Sequence, residues 1–411
     1  MTGVGEFAVK SSLLQKLNQV LIVLYSPFAA IQRHILKKGK RHRLLIVFQA
    51  NLGDLIMFLD SLPEYIEMYG SRQGYEIDFL CTNAVASLLM QTQFSDVECL
   101  HVVPFDLARM QNEFIYFLRI VNSLNLTQYE IAIAPQPSLS TYIVMSYLNI
   151  SRRIGLLPEQ DPQTGIIISL FKKYAFTECL RVEALNTMEV VRFGDFVRWQ
   201  GVTSFQSHIP HIAAVKNEQN FMQYGEYCVF APGASKLGKM WPIDRFAHIA
   251  DYIIEQYNLQ VCVCGTKNEK VLGDQMQGLM RHSERMHNLA GETNISGWFG
   301  LIRQAKLCVS CDSASIHIAT AVRTPSVCVA GRWHNLRFVP YSAECITNED
   351  ILPVCVYVDV DCYGCQSRRQ NSRYADYKCT NAKQYGTSYA CIEMITEGAV
   401  LKAVTSVMNR Y

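Results

Sequence analysis

The fold of this 411-residue chain is decided by the stretch Cys308-Val-Ser-Cys-Asp-Ser-Ala-Ser-Ile-His-Ile-Ala-Thr-Ala-Val-Arg-Thr-Pro-Ser-Val-Cys-Val-Ala-Gly331. Its pattern predicts a short buried strand over 307–310, a turn of small polar residues, an apolar helical segment over 316–322 and a second strand over 326–330. A strand, a helix and a strand in this order form the β-α-β unit of a parallel sheet. We therefore expect an α/β protein.

The turn in this stretch, Asp312-Ser313-Ala314-Ser315, is the first candidate site. In open α/β sheets ligands bind at the carboxyl ends of the strands, where the free N–H groups of a helix N-terminus favour a phosphate. The position of the turn therefore predicts a phosphorylated ligand. The alternative is that Asp312 or Ser313 only caps the helix that follows.

The composition is that of an ordinary globular protein, with 49% hydrophobic residues and a formal net charge of +2. The length exceeds the size at which a single core usually stops growing, so we expect two domains. The nearly balanced charge gives no indication of a nucleic-acid partner. Fifteen cysteines, an odd number, without a cleavable signal pattern predict a reduced, cytoplasmic protein.

Residues 1–40 predict a helical appendage with a break near Pro27. Its apolar run, 20–31, is too short to span a bilayer. Because a basic cluster over 37–43 follows the run, the appendage is compatible with peripheral contact to an anionic inner-membrane surface. The alternative is a helix that packs on the body of the protein or on another subunit of a homo-oligomer.

Strands and helices alternate in both halves of the chain, which predicts two doubly wound Rossmann-like domains facing each other across a cleft. The first, over 41–215, opens with Arg43-Leu-Leu-Ile-Val-Phe48, a strand apolar on both faces and therefore central in a parallel sheet. The second, over 216–411, begins in a segment with little apolar periodicity, 203–224. The predicted strands are 43–48, 76–81, 100–103, 130–134, 226–231, 260–264, 307–310, 326–330 and 354–359.

The tetrapeptide Asn51-Leu52-Gly53-Asp54 follows the first strand and is the second candidate site. The glycine permits a sharp turn from strand to helix and leaves the Asp54 carboxylate at the mouth of the cleft. A carboxylate in that place can accept a proton from an attacking hydroxyl group. The alternative is that Asp54 caps the following helix.

The loop Ala231-Pro-Gly-Ala-Ser-Lys-Leu-Gly-Lys-Met-Trp-Pro242 follows the first strand of the second domain. Its N–H groups suit the oxygens of a diphosphate, and Lys236 and Lys239 supply positive charge. It is not a Walker loop, because the spacing to the lysine and the residue after it are wrong. No Gly-x-Gly-x-x-Gly follows either first strand, which disfavours an NAD-dependent redox enzyme.

Taken in order, these motifs resemble glycosyltransferase family 9, the bacterial ADP-heptose heptosyltransferases. The family's pattern is matched by Gly53-Asp54, Ala231-Pro-Gly-Ala, Lys239-x-Trp241-Pro242, Asn288-Leu-Ala-Gly291, Asp312-Ser-x-x-x-His317-Ile-Ala, Pro325 and Gly331. The resemblance covers residues 43–400 and implies the GT-B fold. It also implies an inverting, metal-independent transfer of a heptose from ADP-heptose to a hydroxyl group, usually on the lipopolysaccharide inner core.

The resemblance implies a role for matching positions in the first domain and the lysine loop. Asp54 matches the family's catalytic base. Lys239 matches its diphosphate-binding lysine, and Ser235 matches the hydroxyl residue a few positions before it. A ribose-binding acid is expected after the strand that ends at Cys264, where Glu269 is a substitute at a shifted position.

The resemblance also implies that the turn containing Asp312, Ser313 and His317 binds the donor phosphates and the nearby sugar. Ala314 stands where a glycine is common in the family. An alanine tightens the space at this turn but leaves its N–H donors in place.

Four cysteines near the C-terminus, Cys362-x-x-Cys365, Cys379 and Cys391, have the spacing of a tetrathiolate site for zinc or a single iron. The segment over 361–391 has almost no apolar core of its own, so a structural metal would stabilise its fold. A related pattern occurs in part of family 9, and the branch that heptosylates autotransporter adhesins carries an iron held by cysteines. The alternative is free thiols in a loop.

The acceptor stays open at this level. The basic, apolar appendage favours the lipopolysaccharide core, whereas the cysteine segment favours serines of an autotransporter adhesin. A non-catalytic protein that binds a sugar nucleotide or acts as a scaffold would keep both sheets without needing Asp54.

Overall fold

The computed structural model describes residues 18, 20–25, 42–159, 166–182, 187–332, 334, 336–360, 379 and 382–411. The chain divides into two compact units. The first comprises Met1–Asn51, Ser61–Ala184 and Asp195–Phe205, and the second comprises Leu52–Asp60, Leu185–Gly194 and Gln206–Tyr411. This division differs from the predicted limits, 41–215 and 216–411, because the segments 52–60, 185–194 and 206–215 belong to the second unit.

The first unit contains a six-stranded parallel sheet in the order β3-β2-β1-β4-β5-β6. Its strands are β1 (Arg43–Phe48), β2 (Glu76–Thr82), β3 (Leu100–Phe105), β4 (Ile131–Ala134), β5 (Arg152–Pro158) and β6 (Glu178–Val182). β1 is buried along nearly all its length, as expected for a central strand covered on both faces. The strand order reverses between β1 and β4.

The second unit repeats this topology, with the order β12-β11-β10-β7-β8-β9. Its strands are β7 (Tyr227–Ala231), β8 (Gln260–Val263), β9 (Met286–Asn288), β10 (Leu307–Cys311), β11 (Ser326–Val329) and β12 (Val354–Val356). The strand order reverses between β7 and β10, so the loops that follow these two strands lie at the switch point of the sheet.

Helices connect the strands. In chain order they are α1 (Leu52–Phe58), α2 (Leu62–Tyr65), α3 (Asn83–Leu89), α4 (Leu107–Asn112), α5 (Phe114–Thr127), α6 (Leu139–Tyr147), α7 (Ile166–Ala175), α8 (Glu189–Trp199), α9 (Ile243–Tyr257), α10 (Lys270–Leu279), α11 (Ile295–Arg303), α12 (Ala314–Ala321), α13 (Ala382–Tyr385), α14 (Ala390–Glu393) and α15 (Glu397–Met408). Several begin at a capping side chain. Asn294 Oδ1 accepts from the Gly297 N–H at 2.8 Å before α11, and Ser138 Oγ accepts from the Thr141 N–H at 3.1 Å before α6.

The predicted α/β class is confirmed, and each predicted strand is present, with the predicted limits for 43–48 and with a shifted end for the others. β3 extends to Phe105, and β12 ends at Val356 instead of 359. Strands β5, β6 and β9 were not predicted. β5 begins with two arginines, β6 is a partly exposed edge strand, and β9 has three residues, so none shows the apolar run that marks a central strand.

Little of the predicted N-terminal appendage lies within the described residues, but residues 18 and 20–25 are helical. Asn18 donates from Nδ2 to the carbonyl oxygens of Met110 (3.3 Å) and Gln111 (2.7 Å), and Ile22 is buried in the core of the first unit. This part therefore packs on the body of the first unit, while most of the basic cluster lies outside the described residues. Every helix in the described part of the chain is too short or too polar to cross a bilayer.

Candidate functional site

The turn after β10 and the loop after β7 lie side by side at the carboxyl edge of the second sheet. β7 and β10 are neighbours, and Ala231 is in register with Ser310 at their ends. Open α/β sheets bind ligands at such a switch point. The structure thus brings together two stretches that are 73 residues or more apart in the chain, the lysine loop (232–239) and the polar turn (312–315).

The polar turn opens α12, with Ser313 in the N-cap position. Within the described residues, the Ser313 side chain makes no capping hydrogen bond, and its Oγ lies 3.1 Å from the Oγ of Ser310. The first N–H groups of α12 therefore keep the partial positive charge of a helix N-terminus. The alternative in which the Ser313 side chain caps the helix is wrong.

Lys239 forms a buried ion pair with Asp312. The Nζ of Lys239 lies 3.0 Å from Asp312 Oδ2, and the two side chains are 7% and 5% exposed. Burial alone raises the pKa of Asp312, but the charge of Lys239 and a hydrogen bond from His334 outweigh it, so this pKa lies well below its usual range. The carboxylate is therefore ionised at neutral pH and compensates the ammonium group.

Trp241 explains why the lysine loop has a fixed shape. Its indole Nε1 donates to the carbonyl oxygen of Ile395 at 3.0 Å, and its ring contacts Phe246 edge to face at 5.1 Å. Its backbone N–H donates to the Sγ of Cys311 at 3.5 Å, the residue directly before Asp312. The Lys-x-Trp spacing therefore anchors Lys239 beside the polar turn.

His317 lies one turn into α12 and is buried. Its Nδ1 lies 2.9 Å from the hydroxyl oxygen of Tyr341. Burial is the main reason that the pKa of His317 is lowered to about 4, against which the Asp312 carboxylate acts. The imidazole is therefore neutral at pH 7 and serves as a hydrogen-bonding group.

His334 is a member of the site that sequence reasoning missed. Its Nδ1 lies 3.3 Å from Asp312 Oδ2 and 3.5 Å from Lys239 Nζ, and its ring contacts Phe338. It stands in a loop three residues after Gly331, outside every motif used above. A histidine shortly after a strand end was the available signal, but it lies outside the motifs at the strand ends.

Gly53 and Asp54 lie in the first turn of α1, which belongs to the second unit. A Cβ at Gly53 would lie 3.1 Å from His317 Cδ2 and 3.8 Å from the Cα of Ala314, so α1 packs closely on the start of α12. Asp54 is buried and is the third residue of α1, within its first turn, so it does not occupy the N-cap position. The exposed residue Asn51 precedes the helix.

Glu269 reaches the same edge of the sheet from the loop after β8. Its Oε2 accepts from the N–H (2.7 Å) and the hydroxyl (2.8 Å) of Thr266. A Cβ at Gly233 would lie 2.1 Å from Glu269 Oε1, which shows that the carboxylate lies against the glycine of the lysine loop. The shifted acid is therefore positioned beside the proposed diphosphate loop.

The remaining predicted residues of the lysine loop differ in exposure. Ser235 is exposed, and Lys236 is partly buried. Burial lowers the pKa of Lys236. Of the two lysines, Lys239 is therefore the one held at the switch point of the sheet, by its ion pair with Asp312.

The predicted cysteine site lies partly outside the described residues, which include Cys379 and Cys391 but neither Cys362 nor Cys365. Both described thiols are partly buried. A Cβ at Gly331 would lie 3.3 Å from the Sγ of Cys391, so this cysteine lies against the loop that leads to His334. Among the described residues no group of three or more His, Cys, Asp or Glu side chains is arranged to hold a metal ion. The tetrathiolate site stays a prediction.

Comparison with known protein families shows the family to which the chain belongs. Glycosyltransferase family 9 (heptosyltransferase) matches residues 117–353, more than half of the chain. The chain belongs to glycosyltransferase family 9. The match includes the lysine loop, the polar turn and His334, and it ends before the cysteine segment.

Curated relatives of this family 9 chain match it over shorter segments. The lipooligosaccharide heptosyltransferase 2 of Haemophilus ducreyi is 36% identical over 104 residues, which are 25% of this chain and 30% of that protein. The lipopolysaccharide core heptosyltransferase OpsX of Haemophilus influenzae is 32% identical over 116 residues, which are 28% of this chain and 33% of that protein. The chain thus matches about a third of the length of these relatives.

Solved structures share the fold over about 90% of the chain. A glycosyltransferase from Veillonella parvula superposes with a TM-score of 0.64 at 15% identity, covering 90% of this chain and 98% of that one. The E. coli ADP-heptose LPS heptosyltransferase II gives 0.60 at 17% identity, covering 90% and 99%. The iron-containing dodecameric glycosyltransferase TibC of enterotoxigenic E. coli gives 0.54 at 13% identity, covering 91% and 78%. The predicted GT-B fold is confirmed.

Proposed function

We propose that this family 9 protein is an inverting glycosyltransferase that moves a heptose from ADP-heptose to a hydroxyl acceptor. The observation that carries the proposal is the buried Lys239–Asp312 pair at the N-terminus of α12, beside the loop after β7. An ammonium group and free helix N–H donors at a switch point suit the diphosphate of a sugar nucleotide. Curated relatives are named as heptosyltransferases, which supports a heptose as the transferred sugar.

The donor side stabilises the leaving diphosphate. As the bond between the sugar C1 and the diphosphate oxygen breaks, the bonding electron pair goes to that oxygen, and negative charge grows on ADP. Lys239 and the first N–H groups of α12 stabilise this charge in a buried setting, where electrostatic interactions are stronger than in water. The carboxylate of Asp312 holds the Lys239 ammonium in position at 3.0 Å.

Asp54 supplies the acid-base step. Its carboxylate accepts the proton of the acceptor hydroxyl while the hydroxyl oxygen forms the new bond to C1, on the face opposite the departing ADP. Inversion follows from this single displacement. Gly53 packs on His317, so the turn that carries Asp54 is held beside the proposed donor site. General-base catalysis of this kind contributes about 10²- to 10⁴-fold to the rate.

Glu269 is the proposed partner of the donor ribose. The carboxylate lies against Gly233, and Thr266 fixes its Oε2 through two hydrogen bonds. A carboxylate after the second strand of a doubly wound sheet is placed to accept hydrogen bonds from ribose hydroxyl groups.

The lipopolysaccharide inner core is the leading acceptor, and the cytoplasmic face of the inner membrane is the proposed place of reaction. This choice rests on the names of the curated relatives, which refer to lipooligosaccharide or lipopolysaccharide core. Serines of an autotransporter adhesin are the second candidate, favoured by the Cys362-x-x-Cys365 pattern with two further cysteines.

A transfer assay tests the proposal directly. The full chain is incubated with ADP-heptose and, in separate reactions, with inner-core lipopolysaccharide lacking the heptose or with an unmodified autotransporter passenger domain. Mass spectrometry then records which acceptor gains one heptosyl residue. Gain on the core alone supports the leading acceptor, and gain on serine supports the second. Tight ADP-heptose binding without transfer to any acceptor or to water would instead indicate a non-catalytic sugar-nucleotide-binding protein.

A further inference from the structure

His334 is the third side chain at the Lys239–Asp312 pair. Its Nδ1 lies 3.3 Å from the same carboxylate oxygen, Asp312 Oδ2, that the Lys239 ammonium contacts, and the His334 side chain is 14% exposed. The distance from Nδ1 to Lys239 Nζ is 3.5 Å. A single oxygen atom therefore has an ammonium group and an imidazole as close neighbours.

We propose that His334 is a positioning residue that takes up a proton when a diphosphate binds at Lys239. The inference rests on the proposed function, because it requires the diphosphate of the donor at this loop. Before the ligand arrives, Asp312 already compensates the charge of Lys239. A nucleoside diphosphate brings several negative charges into a buried site, and an imidazolium beside the already compensated pair supplies a further cation to balance them.

The charged groups around His334 are arranged to allow this change. Lys239 and Asp312 face it from the lysine loop and the polar turn, and Arg337 and Glu189 face it from its own loop and from α8. Arg337 is itself paired, since its Nε donates to Glu189 Oε2 at 2.7 Å. Burial and the charge of Lys239 lower the pKa of His334 to about 4, although Asp312 acts in the opposite direction, so the ring is neutral at pH 7 without a ligand.

The ring has a nitrogen atom for the incoming proton. With Nδ1 directed at Asp312, the second ring nitrogen, Nε2, has no hydrogen-bond partner among the described residues. A phosphate oxygen close to this nitrogen favours the charged ring and accepts its new N–H. The proton comes from solvent or buffer, and no other bond is made or broken.

The proposal has a thermodynamic signature. If one proton binds together with the ligand, the Kd of ADP rises about tenfold for each pH unit between the pKa of the ligand-free imidazole and the raised pKa of the bound-state imidazole, and it levels off above the latter. A residue with a purely structural role produces no such slope. The number of protons taken up per ADP molecule is measurable by calorimetry in buffers that differ in ionisation enthalpy.

The experiment measures ADP binding by the full chain between pH 6 and 9 in wild type, His334→Gln and His334→Lys. Glutamine keeps a hydrogen-bond donor near Asp312 but cannot take up a proton, and lysine carries a permanent charge. His248→Gln is the matched control, because this histidine is exposed and pairs with Glu397. Comparing the variants with wild type cancels the protonation of ADP itself.

We expect wild type and His248→Gln to take up close to one proton per ADP in the lower part of this range, and both His334 variants to take up close to none. His334→Lys should keep its affinity at high pH, where the wild-type Kd rises. Normal ADP binding with equal proton uptake in wild type and His334→Gln would overturn the inference and leave the proposed function intact. Proton uptake that disappears only in His317→Gln would also overturn it. Failure of wild type to bind ADP would overturn both.

Discussion

Gly53 lies directly against the ring of His317. A Cβ at Gly53 would be 3.1 Å from His317 Cδ2 and 3.8 Å from the Cα of Ala314. The first turn of α1 therefore rests on the first turn of α12, and Asp54 is held next to the helix that follows Asp312. The contact between Gly53 and His317 therefore places the proposed base, Asp54, beside the proposed donor site in the same compact unit.

Replacing Gly53 with alanine should lower activity more than stability. The added methyl group must displace His317 or shift α1 by a few tenths of an ångström, at a cost of roughly 1 kcal/mol. We expect kcat to fall about tenfold because Asp54 moves with its helix, and Gly53→Val should have a larger effect. Gly278→Ala is the control, since a Cβ there meets no atom within 4 Å; it should leave kcat unchanged. A Gly53→Ala enzyme with wild-type kcat would show that this contact does not position the base.

Asp54→Asn should abolish turnover and leave ADP binding nearly intact. Asparagine keeps the shape of the side chain but cannot accept the proton of the acceptor hydroxyl, so the rate should fall about 10²- to 10⁴-fold. The measurements are heptose transfer and the Kd of ADP. The control is Asp244→Asn, which changes an exposed acid in the first turn of α9. It should leave both heptose transfer and the Kd of ADP unchanged. Near-normal turnover in Asp54→Asn would remove the assignment of the base.

Lys239→Ala should weaken ADP binding far more than Lys236→Ala does. The first change removes the ammonium at the switch point and also leaves the Asp312 carboxylate buried without its partner, which repels a diphosphate. We expect a Kd about 10- to 100-fold higher, in line with roughly 1.5–3 kcal/mol for a charged hydrogen bond. Lys236 is less buried, so its loss should raise the Kd only a few-fold. Equal effects in an ADP titration would contradict the special position of Lys239.

The central part of each sheet was predictable because buried parallel strands are apolar on both faces. β1 and β10 show this pattern, and their positions located both candidate turns. β5 was not predictable in the same way, since two arginines at its start hide the strand signal. The limits of the two units were also not predictable from the sequence. The segment 52–60 belongs to the second unit because of its tertiary packing, which no local sequence pattern indicates.

The candidate site was predictable where its residues stand in motifs at strand ends. Lys239 and Asp312 were both named, and the structure places their charged groups 3.0 Å apart. His334 was not predictable, because it stands outside the motifs at the strand ends and its approach to Asp312 depends on the tertiary fold. The capping role considered for Ser313 fails because its hydroxyl group contacts Ser310 instead of the helix.

Metal analysis tests the predicted cysteine site. If Cys362, Cys365, Cys379 and Cys391 form a tetrathiolate, protein purified without chelators should contain about one zinc or iron ion per chain. Cys365→Ser should lose it, while Cys179→Ser, which changes a partly buried thiol of β6, should retain it. Absorption of an iron–thiolate centre would distinguish iron from zinc. Wild-type protein without bound metal would favour the alternative of free thiols.

Glu189 should make the stability of the second unit depend on acid pH. This buried carboxylate accepts from Arg192 Nη1 at 2.8 Å and from Arg337 Nε at 2.7 Å, and its backbone N–H donates to the Arg337 carbonyl oxygen. Burial raises the pKa of Glu189, but the two arginines outweigh it and lower the pKa to about 2. The ionised form therefore stabilises the fold above pH 4.5, the ordinary pKa of the group, and this stabilisation is lost as the pH falls from 4.5 towards 2.

Glu189→Gln should remove this dependence and destabilise the protein at neutral pH. Two buried or partly buried arginines then lack their counter-charge, a change that costs about 3–5 kcal/mol in buried pairs. The loop that carries His334 and Arg337 also loses its tie to α8, so ADP affinity should fall. The control, Glu226→Gln, breaks an exposed pair with Lys306 and should cost less than about 1 kcal/mol. The measurement is the melting midpoint of wild type and Glu189→Gln between pH 7 and 2.5. If the midpoints of both proteins fall in parallel as the pH is lowered, Glu189 is not the titrating group.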